Sequence, residues 1–343
     1  MTSLVTGGTG FVGSHIVRQL VSAGRPVRVL VRPTSQLTAL QGVAFERAEG
    51  DLRDAASLDR AMQGVECVYH AAADYRLWSR HPEEIYDANV GGTRRILEAA
   101  NRAGVRRIVY TSTVATIAVP QDGGALPNED TPAKLEQMVG HYKRSKFLAE
   151  REALEAAAAG APVVIVNPTA PVGPGDWKPT PTGRILLDFM NGKMPAYVDT
   201  GLNLAAVEDV AAGHLLAAEK GRAGERYILG ARNMTFKEIL DALAAITGRS
   251  APRVRLPHAV ALAAGYADEW VARLSGREPR IPVEGVKMSR HRMFVASDKA
   301  ARELGYHPGP VEKALERAVR WYESNGYVGA DAKNKRVAHP AAA

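Results

Sequence analysis

The stretch TSLVTGGTGFVGSHIV, beginning at Thr2, limits the fold more than any other part of the chain. Gly7, Gly8, Gly10 and Gly13 fall between a short apolar run and a helical pattern over 11–23. Glycine reaches positive φ without a Cβ penalty, which suits a tight turn. It also lets backbone N–H groups approach an anion at the positive end of a helix. Gly13 would let that helix lie close on the sheet. The spacing fits G-x-G-x-x-G from Gly8 and G-x-x-G-x-x-G from Gly7. A strand before the turn, a helix after it and a new strand at Val27 make a βαβ phosphate turn. Gly7, Gly10, Phe11, Val12 and Gly13 are therefore candidate dinucleotide contacts.

The rest of the first half keeps this rhythm. Strands are expected at PVRVLV, VAFERAEG, VECVYHAA, RRIVYTST and PVVIVNP, and helices at AASLDRAMQG, 82–103 and 140–159. The apolar strands are too continuous for a half-exposed sheet, so the fold class is α/β, a Rossmann-type doubly wound parallel sheet. After Pro168 the rhythm breaks in a Pro-, Gly- and Thr-rich stretch, TAPVGPGDWKPTPTG. The expected division is a dinucleotide-binding domain over 1–168 and a smaller C-terminal substrate lobe over 169–327. Some lobe segments are free to return to the first domain. A disordered tail is expected over 328–343.

Composition narrows the function classes. The 343 residues are 46% hydrophobic with a net charge of +7, enough apolar material for a sizeable core. The basic residues are spread along the chain, with no basic helix and no aromatic-interleaved patch, so nucleic-acid binding is not expected. No apolar run approaches the ~20 residues of a membrane helix, and no secretory signal is evident. The single cysteine, Cys67, sits in an apolar strand pattern and suits a reducing, cytoplasmic setting. His70 and His214 have no partners at metal-ligand spacing, so no metal site is expected.

The acid expected about twenty residues beyond the glycine turn, as a ribose ligand, is missing. The second strand ends in VLVRPTS, which places Arg32 there. An arginine at this point pairs with a 2′-phosphate, so NADP(H) is favoured and NAD(H) is the alternative. Arg28, inside the strand, is a weaker candidate, and Ser35 offers a further hydrogen bond.

HYKRSKFLAE places Tyr142 and Lys146 on one face of a helix. A free phenol has a pKa near ~10, and a neighbouring ammonium is expected to lower it. Such a pair can move a proton at a carbinol oxygen while hydride moves at its carbon.

With the glycine turn, Y-x-x-x-K resembles the extended short-chain dehydrogenase/reductase family, also called the NAD-dependent epimerase/dehydratase family. The resemblance runs to about Tyr327. It implies a hydroxyl residue after the strand in VYTSTVAT, assigned to Thr113 with Ser112 as the fallback, that bonds the reacting oxygen. It implies cofactor contacts from Asp51 and Leu52 in GDLRD, from Ala71, Ala72 and Ala73, and from Asn89 in NVGGT. Pro168 and Thr169 would lie at the segment that closes on the nicotinamide. Asp51 would equally suit a helix cap, and the alanines would suit plain core.

The segments AADYRLWSRHPEEIYDANVGGT and GRILLDFMNGKMPAYVDTGLN resemble a group called hopanoid-associated sugar epimerases, itself similar to dihydroflavonol 4-reductases. The resemblance implies a small-molecule substrate, a sugar or sugar-nucleotide derivative or a ketone, with Tyr75, Arg76, Trp78 and Arg184 as candidate contacts. It also implies pairing of two copies through the Tyr142 helix. Two features depart from the pattern: Arg32, and the alanines Ala205 and Ala206 close to a point where many relatives carry histidine. Asp209 matches and is expected to be structural. A non-catalytic dinucleotide sensor on this fold would typically lack the tyrosine and lysine, and both are present.

Overall fold

The computed structural model describes residues 2–117 and 125–329. Most of the expected tail, from residue 330 on, lies outside the described residues. Strands β1 (Ser3–Thr6), β2 (Val27–Val31), β3 (Glu46–Glu49), β4 (Cys67–His70), β5 (Arg107–Thr111) and β6 (Val163–Pro168) alternate with helices. These helices are α1 (Phe11–Ser22), α2 (Ala55–Met62), α3 (Pro82–Tyr86), α4 (Gly92–Arg102) and α5 (Gly140–Ala158). The later elements are β7 (Ala170–Val172), α6 (Pro181–Met190), β8 (Ala196–Val198), β9 (Gly201–Ala206), α7 (Val207–Lys220) and β10 (Arg226–Leu229). They continue with β11 (Arg232–Thr235), α8 (Phe236–Thr247), β12 (Val254–Leu256), α9 (His258–Ser275), α10 (Val283–Met288), β13 (Arg292–Met293), α11 (Asp298–Leu304) and α12 (Val311–Ser324).

Seven parallel strands form the main sheet in the order β3-β2-β1-β4-β5-β6-β10. The order reverses between β1 and β4. A crevice at the carboxyl ends of the strands is the expected ligand site of such a sheet. Helices cover both faces, so the central strands are buried along their whole length. Ile16, Val17 and Leu20 of α1 share one face with Val210, Ala211 and Ala217 of α7. Leu58 and Met62 of α2, Ile96 and Ala100 of α4, and Ala149 and Ala153 of α5 fill the other. Edge strand β3 reads ERAE and is largely exposed, and its charges discourage further pairing.

β10 comes from the chain after residue 168, yet it completes the main sheet beside β6. The second lobe gathers α6, α8 and α12 over β9 and β7, around Phe189, Leu204, Leu240, Leu243, Leu315 and Tyr322. Ala205 and Ala206 are fully packed in β9 opposite Pro171 and Val172. Asp209 accepts a 2.8 Å bond from the Gly309 N–H, which ties α7 to the approach to α12. The expected single helix over 82–103 is interrupted: one wide π-turn, Asp87–Gly91, joins α3 to α4. Such turns recur at functional sites, and this one carries Asn89.

Candidate active site

The site begins at the turn between β1 and α1. Gly7 has φ +67°, and a Cβ there would lie 2.6 Å from the Ala72 backbone nitrogen. A Cβ at Gly13 would lie 2.1 Å from the Gly7 carbonyl oxygen. The turn thus packs backbone to backbone against the residues that follow β4. Gly10 is the N-cap of α1 and supplies no side-chain cap, and the first helical turn holds no acid. The N–H groups of Phe11, Val12 and Gly13 have no side-chain partner among the described residues. Uncapped N–H groups at a positive helix end suit a pyrophosphate.

A directed chain of hydrogen bonds fixes the facing loop. The Thr93 hydroxyl donates to the Asn89 carbonyl at 2.6 Å, so it accepts from His70 Nε2–H at 3.2 Å. His70 Nδ1 therefore accepts from the Thr6 hydroxyl at 2.6 Å, and Thr6 Oγ1 accepts from the Ala72 N–H. Burial pushes the His70 pKa down to about 3, which keeps this ring neutral. Ala71 and Ala72 are half-buried and Ala73 is exposed, all at the crevice lip.

Arg32 is exposed at the end of β2. Its N–H donates to Ser35 Oγ at 3.0 Å, and its guanidinium has no hydrogen bond or ion pair among the described residues. Arg28 differs. Its guanidinium donates to Glu46 and to the Ala61 and Gln63 carbonyls, so it is not free for a phosphate. The Asp51 carboxylate binds the Arg53 side chain and backbone N–H, and Arg53 holds its pKa below the usual range. The cap of α2 is Asp54, not Asp51. Leu52 packs beside Gly92 at the start of α4.

Asn89 joins this wall to α5. Its side chain accepts from the Asp74 N–H (2.7 Å) and donates to the Asp74 carbonyl (2.9 Å) and Ser145 Oγ (2.9 Å). Ser145 in turn donates to the Tyr142 carbonyl at 2.8 Å. Asn89 thus acts here as a structural link between the β4 loop and the tyrosine helix.

Burial pushes the Tyr142 phenol above the ordinary tyrosine value, and the neighbouring Thr113 hydroxyl opposes this. Lys146 does not do what its spacing suggests. Its ammonium donates to Tyr110 Oη (2.9 Å) and the Thr111 carbonyl (2.8 Å), and burial lowers its pKa to about 7. Lys146 thus makes no hydrogen bond to the Tyr142 phenol among the described residues. Thr113 Oγ1 accepts from the Ala115 N–H, and its carbonyl accepts from the Thr116 backbone N–H and the Asn167 side chain. Beneath it, buried Glu150 accepts from Thr116, Asn167 and Arg226. Ser112 Oγ is buried without a hydrogen-bond partner among the described residues.

The remaining candidates divide clearly. Arg76 is held by Asp74 and Glu84, so its charge is already neutralised. The Tyr75 hydroxyl donates to the Lys178 carbonyl, and burial pushes its pKa up to about 12. Trp78 is half-buried on the same loop. Arg184 is exposed, has no side-chain partner among the described residues, and its charge reaches both Tyr75 and Asp176. Pro168 is buried at the end of β6, and the Thr169 hydroxyl is spent on the Leu229 carbonyl.

Two residues escaped the sequence. Lys143, next to Tyr142, is 6% exposed with no partner among the described residues, and burial lowers its pKa to about 8. Asp176 is buried, accepts from Thr180 and Tyr322, and is pushed up to about 6 by burial. A lysine on a polar helix and an aspartate in a Gly-Pro loop both read as solvated, and only burial distinguishes them. Cys67 is buried, which pushes its thiol up to about 11. The described residues hold no cluster of metal-ligating side chains and no helix long and apolar enough to cross a membrane.

Residues 3–230 match the NAD dependent epimerase/dehydratase family. The chain belongs to that family. A Synechocystis protein provisionally named dihydroflavonol 4-reductase is 47% identical over 94% of this chain and 95% of its own length. Sterol demethylase protein B of Methylococcus capsulatus is 36% identical over 96% of this chain and 100% of its own. The crystal structure of gox2253 superposes with a TM-score of 0.85 at 45% identity, covering 96% of this chain and 99% of the other. The chain is thus an NAD(P)-dependent enzyme of the extended short-chain dehydrogenase/reductase type.

Proposed function

We propose that this enzyme reduces a ketone to a secondary alcohol, with NADP(H) preferred over NAD(H). The observation that carries this reading is the exposed Arg32 guanidinium at the end of β2, which has no hydrogen bond or ion pair among the described residues, with the Tyr142 phenol beside Thr113 as the proton donor. A protonated phenol is an acid, and an acid is what a carbonyl oxygen needs as its carbon is reduced. The Gly7–Gly13 cradle, the uncapped start of α1 and the unpaired Arg32 fit a nicotinamide dinucleotide carrying a 2′-phosphate. When bound, that group supplies the hydride.

The protein's own part is proton transfer and orientation. Thr113 donates a hydrogen bond to the substrate oxygen. Tyr142 Oη–H gives its proton to that oxygen. Lys146, with a pKa near neutrality, holds Tyr110 and the Thr111 carbonyl at the end of β5, and so fixes the floor on which Thr113 stands. Arg184 and Tyr75 line the lobe side as substrate contacts. Lys143 provides a buried positive charge one residue from the proton donor, which suits a substrate with an anionic group.

A second reading is epimerisation of a sugar derivative, which uses the same three residues. It is favoured by the family's breadth and disfavoured by Arg32. The test follows NADPH consumption with a panel of ketones, in wild type and Tyr142→Phe. The proposal expects Tyr142→Phe to lose at least 100-fold in kcat while binding NADPH as wild type does. Equal turnover by both proteins would overturn it.

A further inference from the structure

Among the described residues, eight large apolar side chains are exposed, and seven of them lie between Val254 and Ile281. Most of these belong to α9. This 18-residue helix buries only Gly265 and Ala272. Val260, Ala263, Ala264, Tyr266, Ala267, Trp270, Val271 and Leu274 form one outward arc of about 160° at 100° per residue. Trp270 is 65% exposed and Leu274 is 70% exposed. Isolated apolar residues on a surface are ordinary, but a contiguous patch marks an interaction face.

The two acids of α9 point away from that arc. Asp268 is held by Arg277 and by the N–H groups of Arg280 and Ile281, and Glu269 accepts from the Val283 N–H. The charge around the patch is positive. Residues 249–292 hold nine Lys and Arg against four Asp and Glu, or +5 of the chain's net +7. Arg253, Arg273, Arg280, Lys287 and Arg290 make no ion pair among the described residues. Lys287 lies over the Tyr266 ring, at the edge of the arc. Arg273 follows the same edge two turns further along.

We infer that this face docks α9 in the plane of an anionic lipid surface. A wide apolar arc ending in Trp and Leu, bordered by unpaired basic side chains, is the pattern of an interfacial helix. The basic border matches the negative potential of acidic headgroups. No other described helix exposes such an arc, and none spans a bilayer. The docked face adjoins the site. Glu284 of α10 accepts from the His141 N–H at 3.1 Å, one residue before Tyr142. Gly276 lies beside Arg80, which ends the loop carrying Tyr75 and Trp78.

The test is co-sedimentation of the full chain with phosphatidylglycerol/phosphatidylcholine vesicles and with pure phosphatidylcholine vesicles. The inference expects binding to the anionic vesicles, a steep fall in high salt, and a blue shift of tryptophan emission. Trp270→Ser combined with Leu274→Ser should lower the partition coefficient about tenfold or more, and Arg273→Glu with Lys287→Glu should abolish the lipid selectivity. All four side chains are exposed, so folding is checked by an unchanged melting curve. Vesicle binding needs no turnover, so its failure is separable from failure of the reductase reading. Absence of vesicle binding, binding indifferent to both variant pairs, or a patch that instead mediates self-association lost in Trp270→Ser would each overturn the inference.

Discussion

Replacing Gly13 by alanine tests whether the α1 turn is built as a phosphate cradle. The added Cβ would sit 2.1 Å from the Gly7 carbonyl oxygen and 2.7 Å from its carbon. Both are backbone atoms, so no rotamer change relieves the contact, and α1 must move by about 1 Å. Overpacking of this kind costs about 1–3 kcal/mol, or roughly 1–4 °C in Tm for a chain of this size. The same shift carries the Phe11, Val12 and Gly13 N–H groups off the pyrophosphate. Two weakened charge-assisted hydrogen bonds should cost about 3 kcal/mol, or about 100-fold in NADPH affinity. Two controls separate the causes. Gly10 has φ −85°, and its Cβ would stand 3.2 Å from Gly7 O, so Gly10→Ala should melt like wild type and lose only affinity. Gly24 has φ +68° with nothing within 4 Å, so Gly24→Ala should lose about 1 kcal/mol of stability and no affinity. Thermal melts and NADPH titration measure all three. Wild-type Tm and affinity in Gly13→Ala would refute the reasoning.

Three further outcomes follow from the same geometry. Arg32→Ala should weaken NADPH about tenfold and leave NADH unchanged; equal effects on both would remove Arg32 from the 2′-phosphate. Asn89→Ala forfeits three buried hydrogen bonds and should cost about 2–4 kcal/mol in urea unfolding; a loss under ~1 kcal/mol would show that α5 is held by other contacts. His70 and His214 are buried with pKa values pushed down to about 3 and about 4. The unfolded chain binds more protons below the ordinary histidine value of about 6.5, so stability must fall as pH drops below it, by about 2 kcal/mol per histidine at pH 5. A flat stability between pH 7 and pH 5 would contradict the burial of both rings in their neutral form.

What the sequence made legible was local chemistry in a fixed order. The glycine turn, the continuously apolar strands and the Tyr142–Lys146 spacing each follow from short-range rules, and α1 and α5 lie close to where those rules place them. What stayed hidden depends on contacts distant in sequence. Arg28 and Arg32 look alike along the chain, but only Arg28 meets Glu46 and the carbonyls of the α2 end. Lys146 was expected to serve the phenol, yet Tyr110 and Thr111 bring it acceptors from β5. Arg76, a candidate substrate contact, is met by Asp74 and by Glu84 eight residues on, and its spacing alone does not reveal that pairing. The π-turn at Asn89 has no periodic signature, because it adds a residue to a helix that otherwise reads as regular. The apolar residues of α9 were visible, but which side of the helix they occupy relative to the core was not.

The most direct measurement is to denature the freshly purified protein, identify any released dinucleotide by mass, and titrate the emptied protein with NADPH and NADH. The predicted result is NADP(H), either released or bound at least tenfold more tightly than NADH. Near-stoichiometric release of NAD(H), with no preference for the 2′-phosphate, would contradict it and move the chemistry to a cofactor-retaining epimerase.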